Sequence, residues 1–198
     1  MTTKGDSEAM RWWEFPADFT GGTPELAQGD VLLAAQVPML SEDFASPKAP
    51  APEFATADLI IITQSCDLAS GDSRAPVNYV TLLEAADALS ICSQPNPPER
   101  WSKKTVDRFR AFRKGHRPGF HPLMDWSNPP DTNRPRLVNL KEPVSLPIGY
   151  VRRHLQAQQV RPRLQSPHRE HFSQAYARCM MRVGLPSPMV DPVVAANS

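Results

Sequence analysis

Proline limits what this chain can become more than any other residue. It occurs 22 times in 198 residues, roughly twice its usual share, against only nine glycines. Each proline fixes φ, removes a backbone donor and disrupts any helix that tries to run through it. A long helical bundle or coiled coil is therefore excluded, and short elements joined by long loops are expected. Hydrophobic residues at 40% and charged residues at 22% lie near the globular average, so a packed core is expected rather than wholesale disorder. The length suits one domain and is enough to bury that core without staples. No apolar run reaches the ~20 residues of a membrane span, and residues 1–18 lack the apolar centre of a signal peptide. Three cysteines, Cys66, Cys92 and Cys179, without CxxC spacing, argue against a disulfide framework and a zinc site. A cytoplasmic protein with no cofactor is the expectation.

Element signals follow the apolar pattern. Residues 1–28 hold Trp12, Trp13, Phe15 and Phe19 and then a Gly21–Gly22 turn, and read as a segment packed onto the core. Residues 29–186 read as one domain, with a turn at Gly29-Asp30 and a strand from Val31 to Val37. Residues 41–57, rich in Pro, Ala and acids, read as an exposed mobile loop. Asp58 to Thr63 is continuously apolar from Leu59 to Ile62, which predicts a strand buried on both faces. Val77 to Leu83 is its expected partner after a turn at 69–76. A Pro-rich loop at 94–98 precedes a helix over 102–114, with Ser102 as cap, Phe109 and Phe112 facing the core, and Gly115 as stop. Residues 116–135 read as a long loop. Residues 136–140 and 143–148 read as two short strands, at an edge where Pro intrudes. Residues 149–156 read as a helical turn or two. The last helix has Ser166 as its expected N-cap and Pro167 at its first position, carries Phe172, Ala175, Tyr176, Cys179, Met180 and Val183 on one stripe, and ends at Gly184. Residues 187–198 read as a disordered tail. The predicted class is α+β: a small curved antiparallel sheet, an SH3-like half-barrel being one form of it, with two flanking helices.

Charge is the strongest functional signal. Residues 1–99 carry four basic and 15 acidic side chains, and residues 100–198 carry 18 basic and six acidic ones. Either the halves neutralise each other on folding, or the basic half engages nucleic acid or an acidic protein partner. Lys103, Lys104, Arg108, Arg113, Lys114 and Arg117 form the densest basic run and are the candidate partner-binding residues. His168, Arg169 and His171 open the last helix, where an anion is favoured, unless they are only a solvated first turn with Glu170 complementing the dipole. Arg178 and Arg182 extend the basic surface. Cys66 and Asp67, at the open end of the buried strand, are candidate catalytic groups, with Cys66 as nucleophile and His121 the favoured base among five histidines. The alternative is a small buried cysteine beside an aspartate that opens a turn. His116, His121 and Asp125 are metal-ligand types, but their irregular loop spacing argues against a metal site. P-loop, GxGxxG, HExxH, GxSxG and zinc-finger spacings are absent.

Three stretches belong together: Gly29-Asp30-Val31-Leu32 with Thr63-Gln64-Ser65-Cys66-Asp67-Leu68, then Phe112-Arg113-Lys114-Gly115 with His121-Pro122-Leu123, then Pro167 to His171 through Arg182 to Pro186. They resemble a group of uncharacterised bacterial proteins with a Ser/Thr-Gln-x-Cys-Asp-Ile/Leu motif, which tend to occur near mobile elements and defence genes. Residues 29–83 also resemble PemK/MazF-type toxins, small SH3-like barrels that cleave RNA. The Arg-Pro pair usual before the second strand of those toxins is replaced here by Thr56-Ala57-Asp58. The resemblances imply an accessory component of a defence or toxin-type module. An enzyme using Cys66, and a subunit of a larger complex docked through the N-terminal aromatics, are the competing expectations.

Overall fold

The run 59–62 is buried on both sides, as its continuous apolarity predicts, and the fold is organised around it. Ile60 and Ile62 join Trp13, Val31, Leu83, Val138 and Phe172 in one core. Leu59 and Ile61 face the opposite core, with Leu32, Leu82, Leu146, Val151 and Leu155. The computed structural model describes residues 12–16, 25–46, 48, 50–69, 77–93, 101–117, 119–126 and 134–181. Phe19, the turns at 21–22 and 70–76, the 94–98 loop, residues 127–133, Arg182 to Pro186 and the tail 187–198 lie outside the described residues.

Seven strands and five helices occur among the described residues. The strands are β1 (Trp13–Glu14), β2 (Val31–Met39), β3 (Glu53–Ile61), β4 (Tyr79–Asp87), β5 (Phe120–Leu123), β6 (Arg136–Pro147) and β7 (Arg163–Leu164). The helices are α1 (Ser65–Leu68), α2 (Ala88–Cys92), α3 (Lys103–Arg113), α4 (Ile148–Ala157) and α5 (His168–Met180). The main sheet is antiparallel in the order β2-β3-β4-β6-β5, and β1 pairs with β7 in a separate ladder. The sheet is open, with β2 and β5 at its edges, and does not close into a barrel. No helix among the described residues is long and apolar enough to cross a membrane.

Several expectations need correction. Residues 53–57 are not loop but the outer half of β3, paired with residues 35–39 of β2. That half is exposed on both faces, so no alternation of apolar and polar residues marks it as strand. β5 lies inside the expected 116–135 loop. Pro122 hides it, and is tolerated because β5 is an edge strand. β6 is one twelve-residue strand, where two were expected. It bends where Glu84 of β4 stands opposite four residues, 139–142, between the pairs Leu83↔Pro143 and Ala85↔Val138. Only residues 136–139 pair with β5, so Pro143 and Pro147 fall on the half of β6 with a free edge. β2 carries a second bulge, with Ala34 in the left-handed region at φ 51° and its N–H bonded to Asp58 Oδ1 at 2.9 Å.

Two flanking helices were expected, and α3 and α5 are those helices. Ser102 caps α3, accepting from Thr105 N at 3.2 Å. Gly115, at φ +72°, ends it: Gly115 N donates to Phe112 O and His116 N to Ala111 O, which satisfies two of the last carbonyls. α5 begins at His168, with Pro167 in the cap position and no side-chain cap, so Ser166 is not the cap. α4 is the addition. It runs ten residues, longer than the expected turn or two, and covers the exposed edge of β2. Gln158, just past its end, bonds Leu33 N and Val31 O, the Tyr150 hydroxyl accepts from Gln36 N, and His154 meets Leu33 O at 2.8 Å. An edge dressed in this way is closed to further strand pairing.

Candidate functional site

The site is built where α3 ends. The capped turn after Gly115 passes the chain within a few residues into β5, and α5 lies across it through Phe172, whose ring is 5.7 Å from the His121 ring. A groove of about 760 Å³ opens between them. α3 and its turn contribute Phe112, Arg113, Gly115, Arg117 and Gly119, and β5 contributes Phe120, His121 and Pro122. α5 contributes His171, Gln174, Ala175, Arg178 and Cys179, a spacing that puts them on one helix face. Leu140 of β6 completes the lining.

Among the described residues no carboxylate lines this groove. Arg113, Arg117 and Arg178 are exposed, and none has an ion-pair partner among the described residues. Other arginines of the basic half are engaged elsewhere. Arg161 and Arg163 hold the buried Asp30, Arg163 Nε lying 2.6 Å from its Oδ1. Arg136 bridges Asp58 and Asp125, each at 3.3 Å, and sits over the Trp126 ring. Arg108 donates to Cys92 O at 2.9 Å, and Arg110 pairs with Asp107. Lys141, which sequence reasoning missed, lies over Gly119, so closely that a Cβ there would collide with Lys141 Cε.

The groove histidines differ in setting. His121 is pushed down to about 4 by burial and by the neighbouring His171 and His168, so it is neutral at pH 7. Burial also lowers His168, whose ring stacks on Trp12 at 3.6 Å. The expected anion trio at the start of α5 is therefore divided. His171 lines the groove, His168 holds Trp12, and Arg169 pairs with Glu170 at 3.3 Å.

Of the expected binding residues, Arg113 and Arg117 reach the groove. Lys103, Lys104 and Lys114 are exposed but do not line it, and Arg108 is half-buried against α2. Of the expected catalytic set, His121 lines the groove and Cys66 and Asp67 do not. Cys66 is exposed on α1, its Sγ 3.6 Å from Gln64 Oε1 and 3.7 Å from Asp67 Oδ1. Thr63 and Ser65 have structural partners: Thr63 Oγ1 accepts from Thr81 N, and Ser65 Oγ accepts from Gln28 N. His116 is exposed while Asp125 is buried against Arg136. No group of three or more His, Cys, Asp or Glu side chains placed to hold a metal occurs among the described residues. At the N-terminus, Trp13 is buried in the core, in edge contact with Trp126.

Fold and groove together describe an open-sheet α+β protein with a cationic cleft on one flank. Comparison with protein-family models, curated proteins and solved structures finds no match.

Proposed function

We propose that this chain binds the phosphate backbone of nucleic acid in the groove between α3, β5 and α5. One observation carries the reading: three arginines, two from the end of α3 and its turn and one from α5, converge on a groove that no carboxylate lines among the described residues. A guanidinium stays charged at every relevant pH and meets phosphate through paired donors. An arginine without a carboxylate partner is set to contribute such a contact at little internal cost. The expected setting, an accessory component of a defence or toxin-type module, rests on the sequence resemblance. So does the finer reading of the bent, open sheet as an SH3-like half-barrel. A cytoplasmic place for the chain rests on the cysteine usage and the signal-peptide reading.

The test is fluorescence anisotropy with labelled oligonucleotides at low salt. Arg113→Glu with Arg178→Glu should weaken binding by about tenfold or more, while Lys48→Glu, on the opposite half of the sequence, should leave it unchanged. Equal affinity for all three proteins overturns the proposal. Binding of labelled polyglutamate, without binding of any oligonucleotide, would move the assignment to an acidic protein partner, in keeping with a subunit of a larger complex. The alternative of an enzyme using Cys66 lacks its expected base: the thiol is exposed beside Asp67, while His121 lies in the groove that Cys66 does not line. Cys66→Ala should not affect groove binding, which separates the two readings.

A further inference from the structure

We infer that the groove takes unpaired nucleotides, with phosphates on its rim and a base on its floor, and does not take a duplex. This rests on the phosphate-binding reading and adds the conformation of the ligand. The lining is divided by chemistry. Arg113, Arg117 and Arg178 supply the charge, whereas Phe112, Phe120 and Pro122 supply an apolar surface. Phe112 and Phe120 meet edge to face at 5.2 Å, and both are only half-buried, so ring surface is available to a ligand. A duplex has no use for that floor: its bases are stacked inside, where no ring of the protein reaches their faces. An unpaired strand can turn a base inward, and every base has a face that stacks on an aromatic ring regardless of sequence.

Size and polar groups agree with this. A groove of about 760 Å³ has the volume of a small-ligand site, whereas a duplex contacts a larger area than such a site offers. His121 and Gln174 also line the groove, with both donors and acceptors to offer a base edge. The His121 ring, being neutral, presents one nitrogen of each kind. An acidic peptide would match the arginines but would leave the aromatic floor without a planar partner.

The experiment compares four ligands of one sequence and length on the wild-type chain: single-stranded DNA, single-stranded RNA, the DNA duplex, and single-stranded DNA with abasic sites. The single strands should bind about tenfold more tightly than the duplex and the abasic strand, the size of effect that loss of one stacked base produces. Phe120→Ala should lower the intact-strand affinity to that of the abasic strand. Gln174→Ala, at an exposed position, provides a second variant that does not disturb the core, and should weaken the intact strand while leaving the abasic one unchanged. Equal binding of duplex and single strand, or of abasic and intact strand, overturns this inference and leaves phosphate binding standing. Binding of none of the four overturns both. Displacement of the single strand by a mononucleotide at equal phosphate concentration would assign the site to free nucleotide and overturn the strand reading.

Discussion

Asp30 is fully buried, accepts the Ala27 N–H at 2.8 Å, and faces both Arg161 and Arg163. The same two guanidiniums also donate to Glu25 O. Burial alone would lower the Arg163 pKa, but the bond and charge of Asp30 hold it raised, so the guanidinium stays charged. Asp30→Asn removes the buried negative charge that Arg161 and Arg163 share. A loss of about 3–5 kcal/mol is expected, read as a lower urea midpoint with an unchanged slope. His121 carries a prediction of its own. Its folded pKa, about 4, lies below its ordinary value of 6.5. The unfolded chain therefore binds the proton first, and stability is full above pH 6.5 and falls as pH drops toward 4. The difference is on the order of 3 kcal/mol at most. His121→Gln should flatten the wild-type curve over that window in urea titrations at successive pH values. A parallel pair of curves would show that His121 does not titrate there.

At the scale of elements, legibility depended on whether a segment's pattern came from its own residues. β3 at 59–61 and α3 were legible because continuous apolarity and 3.6-residue spacing are local marks of burial. β5 was not, because Phe120-His121-Pro122-Leu123 forms a strand only through its pairing with residues 136–139. The same holds for the outer half of β3, held by pairing with β2. Gly115 was legible as a stop and gives an element-scale prediction. It sits at φ +72°, and a Cβ placed there would meet nothing within 4 Å, so Gly115→Ala should cost only the backbone term, about 1 kcal/mol. Gly119, at φ +101° and under Lys141, should cost more when changed to Ala, because the Lys141 stem must also move. Thermal melts of the two variants test the order. Equal losses would mean that Lys141 is not held over Gly119.

For the whole molecule, the charge asymmetry resolves into two parts. Some of it is internal neutralisation across the halves: Asp30 with Arg161 and Arg163, Asp58 with Arg136, and Glu14 with Arg163 at 3.8 Å. The rest includes the groove arginines. Sequence alone showed a basic half but could not divide it, since pairing is decided by contacts between residues far apart in the chain. Arg113 and Arg178 are distant in sequence and meet at one cavity only because α5 packs through Phe172 onto the core that β5 edges. The cysteine-based expectation shows the opposite limit: residues adjacent in sequence marked a polar strand end at Cys66 and Asp67, while His121 lies in the groove that neither of them lines. The central claim is that the groove arginines hold phosphates. The most direct measurement is the salt dependence of single-strand binding for the wild type and for Arg113→Gln with Arg117→Gln and Arg178→Gln. Three phosphate contacts predict a slope of about −2 in log K against log salt for the wild type, and a slope near zero for the variant. A wild-type slope near zero, or the same slope in both proteins, would contradict the account.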